Sequence, residues 1–395
     1  MIANPGAPQR LYALDWLRIG AVMAVFLFHA AHIFDLDPEA SIKNRETSVA
    51  LSVYVFFADQ WIMHTIFLAA GASAWFSLRT RTRSSFLRER ASRLMVPFLL
   101  GTFLLIPWHG YVSAQNHETF AGSYSSYLPV HFAGIWSALQ KPPLPFNSTI
   151  FFVTSWHLWF LGVLFVFSLL TTLYSGAPAL RPEPWLKGSG WWRTSILGLP
   201  IVLIKLSVDA RFPSHTDWSE MLVWFVLYWY GWLFMSDPTL WRDIEAQASR
   251  WLVVGIAAIG LLGLAFQQGY LMRWIQNPTY TCDYALYQIL AAVNTWAWVL
   301  AITGSCFRYL NRDHQWLGYL GTATLPFYIL HQTALLTIGF WIVQTRWTLF
   351  AKFAVISASS LLVTIAVYEL LIRRSAFLRM IFGMKATSLH NSQHA

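Results

Sequence analysis

Charge is what this chain has least of. Of its 395 residues only 11% are Asp, Glu, Lys or Arg, against about 25% in soluble proteins. That scarcity excludes a soluble globular domain. Cysteine is nearly absent as well. Cys282 and Cys306 would lie at opposite ends of one helix, roughly 36 Å apart by helix rise, so they cannot bridge each other. No Cys/His cluster has metal-ligand spacing, and no glycine-rich phosphate loop follows a strand, so no metal is expected. What the chain does have is apolar: 56% hydrophobic residues, with 22 Trp among them. This composition describes an all-α, polytopic membrane protein whose surroundings are the lipid bilayer. The net charge of +9 is explained by Lys and Arg acting as topology determinants, and no nucleic-acid partner is expected.

The stretch 11–34, LYALDWLRIGAVMAVFLFHAAHIF, is long and apolar enough to cross a bilayer as one helix. It holds an arginine and has no small-residue cleavage site behind it, so it is expected to stay as the first span rather than be removed. It carries Asp15, Arg18 and His29 within the apolar run. Ionisable groups are costly in lipid, so they normally face the bundle interior and mark a working site. Arg18 and His29 are eleven positions apart, three helical turns or roughly 16 Å on nearly one face. Asp15 precedes Arg18 by three, a spacing that lets the two meet. Two readings follow: a catalytic constellation, or a buried Asp15–Arg18 pair that fixes helix packing with His29 a core histidine.

Apolar runs at 11–34, 49–78, 94–114, 155–174, 196–210, 221–236, 251–270, 284–307, 317–343 and 349–372 predict about ten spans. Pro97 and Pro107 predict a kinked or shortened third span, and 115–154 reads as the longest loop. No internal repeat stands out, so an inverted-repeat transporter is not inferred. With the N-terminus cytoplasmic, inside segments hold 18 Lys and Arg, and outside segments hold six: Lys43, Arg45, Lys141, Arg211, Arg273 and Arg346. The excess predicts both termini in the cytoplasm. In that frame His29 lies towards the outer face and Arg18 towards the inner one. Arg90 and Arg93, three apart at the cytoplasmic mouth of the third span, project together. Their guanidinium forks suit phosphate, although a positive-inside anchor reads the same way.

Several of these residues carry a resemblance. LDWLR…FLFH in the first span, Arg90-Ala-Ser-Arg93 with Pro97, His157-Leu-Trp-Phe-Leu161, and Leu325-Pro-Phe-Tyr-Ile-Leu-His331 occur in order along the chain. Together they resemble the acyltransferase-3 family of multi-pass membrane acyltransferases, which includes O-antigen acetylases and the periplasmic-glucan succinyltransferase type. The likeness spans about residues 8–372 and leaves 373–395 as a polar cytoplasmic tail. One departure is Ala70 before Gly71, where relatives often have serine.

The resemblance implies an O-acyltransferase of a bacterial inner membrane. It implies an acyl-CoA donor, acetyl- or succinyl-CoA, and a carbohydrate or glycan acceptor, hence O-acetylation or another polysaccharide modification, glucan biosynthesis included. Arg18 and His29 match its paired catalytic residues, and Arg90 and Arg93 match its donor-binding arginines. The residue chemistry fits, since a neutral imidazole is the usual base for a sugar hydroxyl near pH 7. Direct transfer and a covalent acyl-histidine both remain open. Tyr328 and His331, three apart, are candidate cavity-lining residues or a hydrogen-bonded core pair. His157, expected at the outer surface beside Trp156 and Trp159, and Asp15 are further cavity candidates. Asp59 and His64 read as a local pair, and the His32/Asp37 spacing reads as coincidence. The reading from another class is a small-molecule or proton-coupled transporter using Asp15, Arg18 and His29 as an ion relay.

Overall fold

A computed structural model describes residues 11–140, 148–174, 190–214 and 216–384. Arg10, Lys141, Arg181, Lys187 and Lys385 of the charge tally lie outside the described residues, as does the tail beyond 384. Among the described residues every regular element is helical. The order begins α1 Tyr12–His32, α2 Val49–Asp59, α3 Ile62–Thr80, α4 Arg83–Arg90, a π turn Ala91–Met95, α5 Val96–Leu104 and α6 Ile106–Asn116. It continues with α7 Tyr124–Gln140, α8 Ser148–Ser155, a 3₁₀ turn Trp156–Leu158, α9 Trp159–Tyr174, α10 Trp191–Ile196 and α11 Leu199–Val208. Then come α12 Trp218–Ser236, α13 Pro238–Gln267, α14 Tyr270–Gln276, α15 Cys282–Leu310, α16 Leu317–Ile342, α17 Leu349–Val367 with a π turn Tyr368–Ile372, and α18 Ala376–Ile381.

Among the described residues, eight helical stretches are long and apolar enough to cross a membrane, and a bent pair, Arg83–Leu104 with Ile106–Asn116, makes nine. The bend of 40° falls where expected, because Pro107 sits in the first turn of α6 and cannot continue the hydrogen-bond ladder of α5. The remaining expected span is α12, 19 residues long but less apolar, because Trp and Tyr replace aliphatic residues. Two expectations need correction. Residues 115–154 are not one loop, since α7 and α8 occupy much of them. Pro129 stands inside α7, where it removes one bond from the helix ladder without ending the helix. Nor is the tail from 373 wholly polar: α18 exposes Phe377 and Met380.

Several helices start before their apolar run. The seventh stretch begins at Pro238, thirteen residues ahead of the expected 251, because the Asp237 carboxylate caps the Thr239 N–H and proline suits the first helical position. Arg242, Asp243 and Arg250 then occupy helical turns that hydropathy assigns to a loop.

The chain divides into two compact units, residues 1–21, 57–86 and 167–318 in one and 22–56, 87–166 and 319–395 in the other. The first unit is built on α3, α12, α13 and α15. At the α3–α12 crossing a side chain on Gly71 would meet the Tyr228 carbonyl oxygen at 1.7 Å, and one on Gly231 the Leu68 carbonyl at 1.9 Å. Only glycine admits backbones this close, which is how helices pack tightly where lipid gives no hydrophobic drive. Trp241 stacks on Phe307 at 3.8 Å. Arg193, in α10, joins Asp237 at 2.5 Å and Asp243 at 3.1 Å, tying that helix to the start of α13.

The second unit packs the C-terminal half of α1 with α6, α16 and α17 around Phe26, Ala30, Phe34, Val112, Leu335, Leu336 and Ile356. Trp108 donates to the Thr337 hydroxyl at 2.9 Å, and the His109 ring meets Thr333 at 2.8 Å. Two neighbouring residues of α6 therefore grip successive turns of α16. Lys352 is buried in α17 and donates to the Val343 carbonyl at 2.9 Å and to Asn44 at 3.0 Å. It thereby caps the C-terminal end of α16 with a cation, which the helix dipole favours.

Candidate active site

Four imidazoles gather in the second unit. His29 comes from α1, His109 from α6, His157 from the 3₁₀ turn and His331 from α16. Ring centroids lie 5.4 Å apart for His29–His331, 5.5 Å for His331–His157 and 5.2 Å for His157–His109. His29 is half-buried, while His109, His157 and His331 are 0%, 7% and 1% exposed. His131 of α7 is buried as well, with its ring against Tyr127. The rings touch one another, aromatic neighbours, and backbone or hydroxyl oxygens.

Local backbone sets these positions. Trp156 takes the left-handed conformation, φ +46°, which is uncommon for a residue with a side chain and separates α8 from α9. The 3₁₀ turn that follows buries His157 inside the stretch 151–174. His157 does not open its helical stretch: the stretch starts earlier than its apolar pattern, at 151, and the ring of His157 is buried among the packed helices. Tyr328 donates its hydroxyl to the His157 carbonyl, while the His157 ring reaches the Ile329 carbonyl at 3.2 Å. This reciprocal exchange pins the turn to α16.

Hydrogen bonding assigns the tautomers. A carbonyl oxygen only accepts, so the ring nitrogen facing it carries the proton. His331 Nδ1–H donates to the Tyr328 carbonyl at 2.6 Å, leaving Nε2 with its lone pair. His157 Nε2–H donates to Ile329, leaving Nδ1 unprotonated. Both free nitrogens, together with Nδ1 of His109 and Nε2 of His131, are buried with no hydrogen-bond partner. Buried polar atoms are normally satisfied, so several unpartnered ring nitrogens, those of His331 and His157 being acceptors, mark a site equipped for donors and protons. Among the described residues, no group of three or more His, Cys, Asp or Glu is set to hold a metal ion.

The structure thus joins three of the sequence candidates, His29, His157 and His331, with Tyr328 beside them at 5.9 Å from His157 and 5.8 Å from His331. His109 and His131 were missed. The available signal for His109 was its place two residues after Pro107, in an apolar span where any ionisable group is a candidate. Asp15 and Arg18 stand half-buried in the N-terminal part of α1, within the first unit. Arg90 ends α4. Arg93 lies in the π turn, its Nε–H donating to the Gly383 carbonyl at 3.0 Å and its guanidinium 3.5 Å from Glu89. Such turns recur at functional positions.

Two minor pairings differ from expectation. His64 faces Glu220 at 3.4 Å rather than forming a local pair with Asp59. His32 bonds Asp35 at 2.7 Å and stands 3.9 Å from Asp37. Burial acts to raise the Asp35 carboxyl, but bonds from His32 and Lys43 outweigh it and hold the group below the ordinary carboxylate range.

Residues 11–369 match a family model described as an acyltransferase domain. No curated protein and no solved structure matches the chain. The match runs nearly end to end and takes in the apolar helices that carry the histidine cluster. The chain is a multi-pass membrane acyltransferase, and it belongs to the acyltransferase-3 family.

Proposed function

We propose that the protein moves an acetyl- or succinyl-class group from cytoplasmic acyl-CoA to a hydroxyl of a carbohydrate or similar acceptor. Transfer takes place at the outer face of a bacterial inner membrane. The observation that carries this reading is His29 on an apolar span, its ring 5.4 Å from His331 in a cluster with spare lone pairs. His29 takes the hydroxyl proton as the oxygen attacks the thioester carbonyl. The new carbon–oxygen bond forms, the carbon–sulfur bond breaks, and the proton passes to the departing thiolate. Arg18 either orients the donor's arm or secures α1 through Asp15. His157 and Tyr328 line the cavity.

Arg90 and Arg93 hold the donor's phosphates, roughly 20 Å or more from His29 by helix rise. Contacts at that distance act equally in ground and transition states and so lower the Michaelis constant alone. In proteoliposomes the protein is expected to consume acetyl- or succinyl-CoA. The Arg90→Lys/Arg93→Lys variant keeps the topology charge and loses the bidentate fork, so it is expected to need about tenfold more acyl-CoA for half-maximal rate, with less change in maximal rate. Consumption of neither thioester would defeat the donor assignment. An unchanged donor dependence would reduce the arginines to a topological anchor.

The outer-face assignment of His29 rests on both termini being cytoplasmic, supported by the excess of Lys and Arg on one side. A C-terminal alkaline phosphatase fusion is expected to be inactive and a cytoplasmic reporter fusion active. The opposite pair of results would reverse the orientation.

A further inference from the structure

The proposed mechanism gives His29 a proton to accept but no group to orient its ring. A general base normally has one, because the hydrogen bond made by one ring nitrogen decides which lone pair the other presents. A carboxylate is the usual choice. In an apolar span it would add a charge that is costly to bury.

We propose that His331 is the positioning partner of His29: its Nε2 lone pair receives a ring N–H of His29 and so fixes which nitrogen of His29 faces the reacting hydroxyl. Four observations carry this. The His331 Nδ1–H is committed to the Tyr328 carbonyl at 2.6 Å, so Nε2 is an acceptor. That Nε2 is buried without a partner. The two rings are 5.4 Å apart between centroids and inclined by 35°, a separation at which ring nitrogens that face each other stand within hydrogen-bond range, about 2.7–3.2 Å. Finally, His331 is held in place. It stacks parallel to Phe327 at 6.1 Å, takes the edge of Phe26 at 6.4 Å, and is backed at 90° by His157.

A neutral imidazole suits this position. It shares the proton of the His29 imidazolium while transfer is under way and brings no net charge into the span beforehand. The hydroxyl proton goes to His29 and then to the thiolate, and His331 ends as it began. The titratable groups around the pair are His32, one turn on along α1, His109 of α6, His157 of the 3₁₀ turn and Tyr328 of α16.

The inference rests on His29 being the base, and the experiment separates the two. His331→Phe keeps an aromatic ring and removes the lone pair, and His331→Gln restores an acceptor oxygen. In proteoliposomes His331→Phe is expected to lower kcat about 10²-fold, with KM for both substrates within twofold and a displaced pH–rate profile. His331→Gln is expected to recover about tenfold of that loss and the parent profile. Adding His331→Phe to His29→Ala is expected to leave the residual rate unchanged, since a residue acting through His29 has nothing left to act on. Unaltered kcat in His331→Phe would overturn the proposal. So would a rise in acceptor KM at constant kcat, which would make His331 a binding group. A monodisperse His331→Gln as slow as the Phe variant would overturn it too. Wild-type activity in His29→Ala would instead defeat the base assignment on which it stands.

Discussion

Alanine at position 29 is expected to lower acyl transfer by about 10²–10⁴-fold, the range contributed by a positioned general base, and by more if the acyl group passes through a covalent histidine. Insertion should be unaffected. His29 is half-buried on a helix whose neighbours are Phe28 and Ala30, and replacing an imidazole by a methyl group lowers the cost of placing α1 in lipid. The ring makes aromatic contacts with Phe28 at 5.2 Å and His331 at 5.4 Å, so its removal leaves a small polar-edged gap and no unpaired charge. The variant is assayed for product in cells and for protein in the membrane fraction. Normal membrane abundance without product is the expected pair of results; wild-type product formation would remove His29 from the chemistry.

The second large effect lies in the first unit and concerns stability. Lys205 of α11 joins Glu220 of α12 in a close ion pair and reaches Asp209 at 3.3 Å. Asp209 also accepts from Ser219 at 2.8 Å, Tyr284 at 2.7 Å and Gln288 at 2.5 Å, while Glu220 faces His64 of α3. One ammonium thus compensates two carboxylates that are 9% and 18% exposed. Lys205→Met removes that cation, and breaking a buried pair typically costs about 3–5 kcal/mol because a charge is left uncompensated. We expect a marked fall in Tm in detergent, with partial recovery in Lys205→Met/Glu220→Gln, which withdraws one of the stranded charges. A Tm equal to that of the parent protein in the single variant would mean that the network contributes nothing to stability.

Both residues stood in the sequence with equal prominence, as ionisable groups in apolar stretches, and nothing local told them apart. His29 drew attention through its spacing from Arg18 and through the family pattern. Lys205 lay in the apolar run 196–210, and its partners are 4, 15 and, through Glu220, 141 positions away. Hydrophobic periodicity reports which residues face away from lipid, not which of them meet. The same limit explains His64, assigned to nearby Asp59 although its partner is on α12, and His109, whose ring joins the cluster only because α6 packs on α16.

What the sequence determined alone was everything that depends on neighbours along the chain. Low charge and long apolar runs settled the membrane class, Pro107 located the bend of the third span, and ordered motifs identified the family. These follow from transfer free energy, proline's missing donor and residue order, all local properties. The tertiary structure decided the rest: the imidazole row of His29, His331, His157 and His109, the inward turn at Trp156 that buries His157, and the lone pair left on each ring. Those depend on which carbonyl or ring lies opposite, and contacts between residues as far apart as His29 and His331 exist only once the helices have packed.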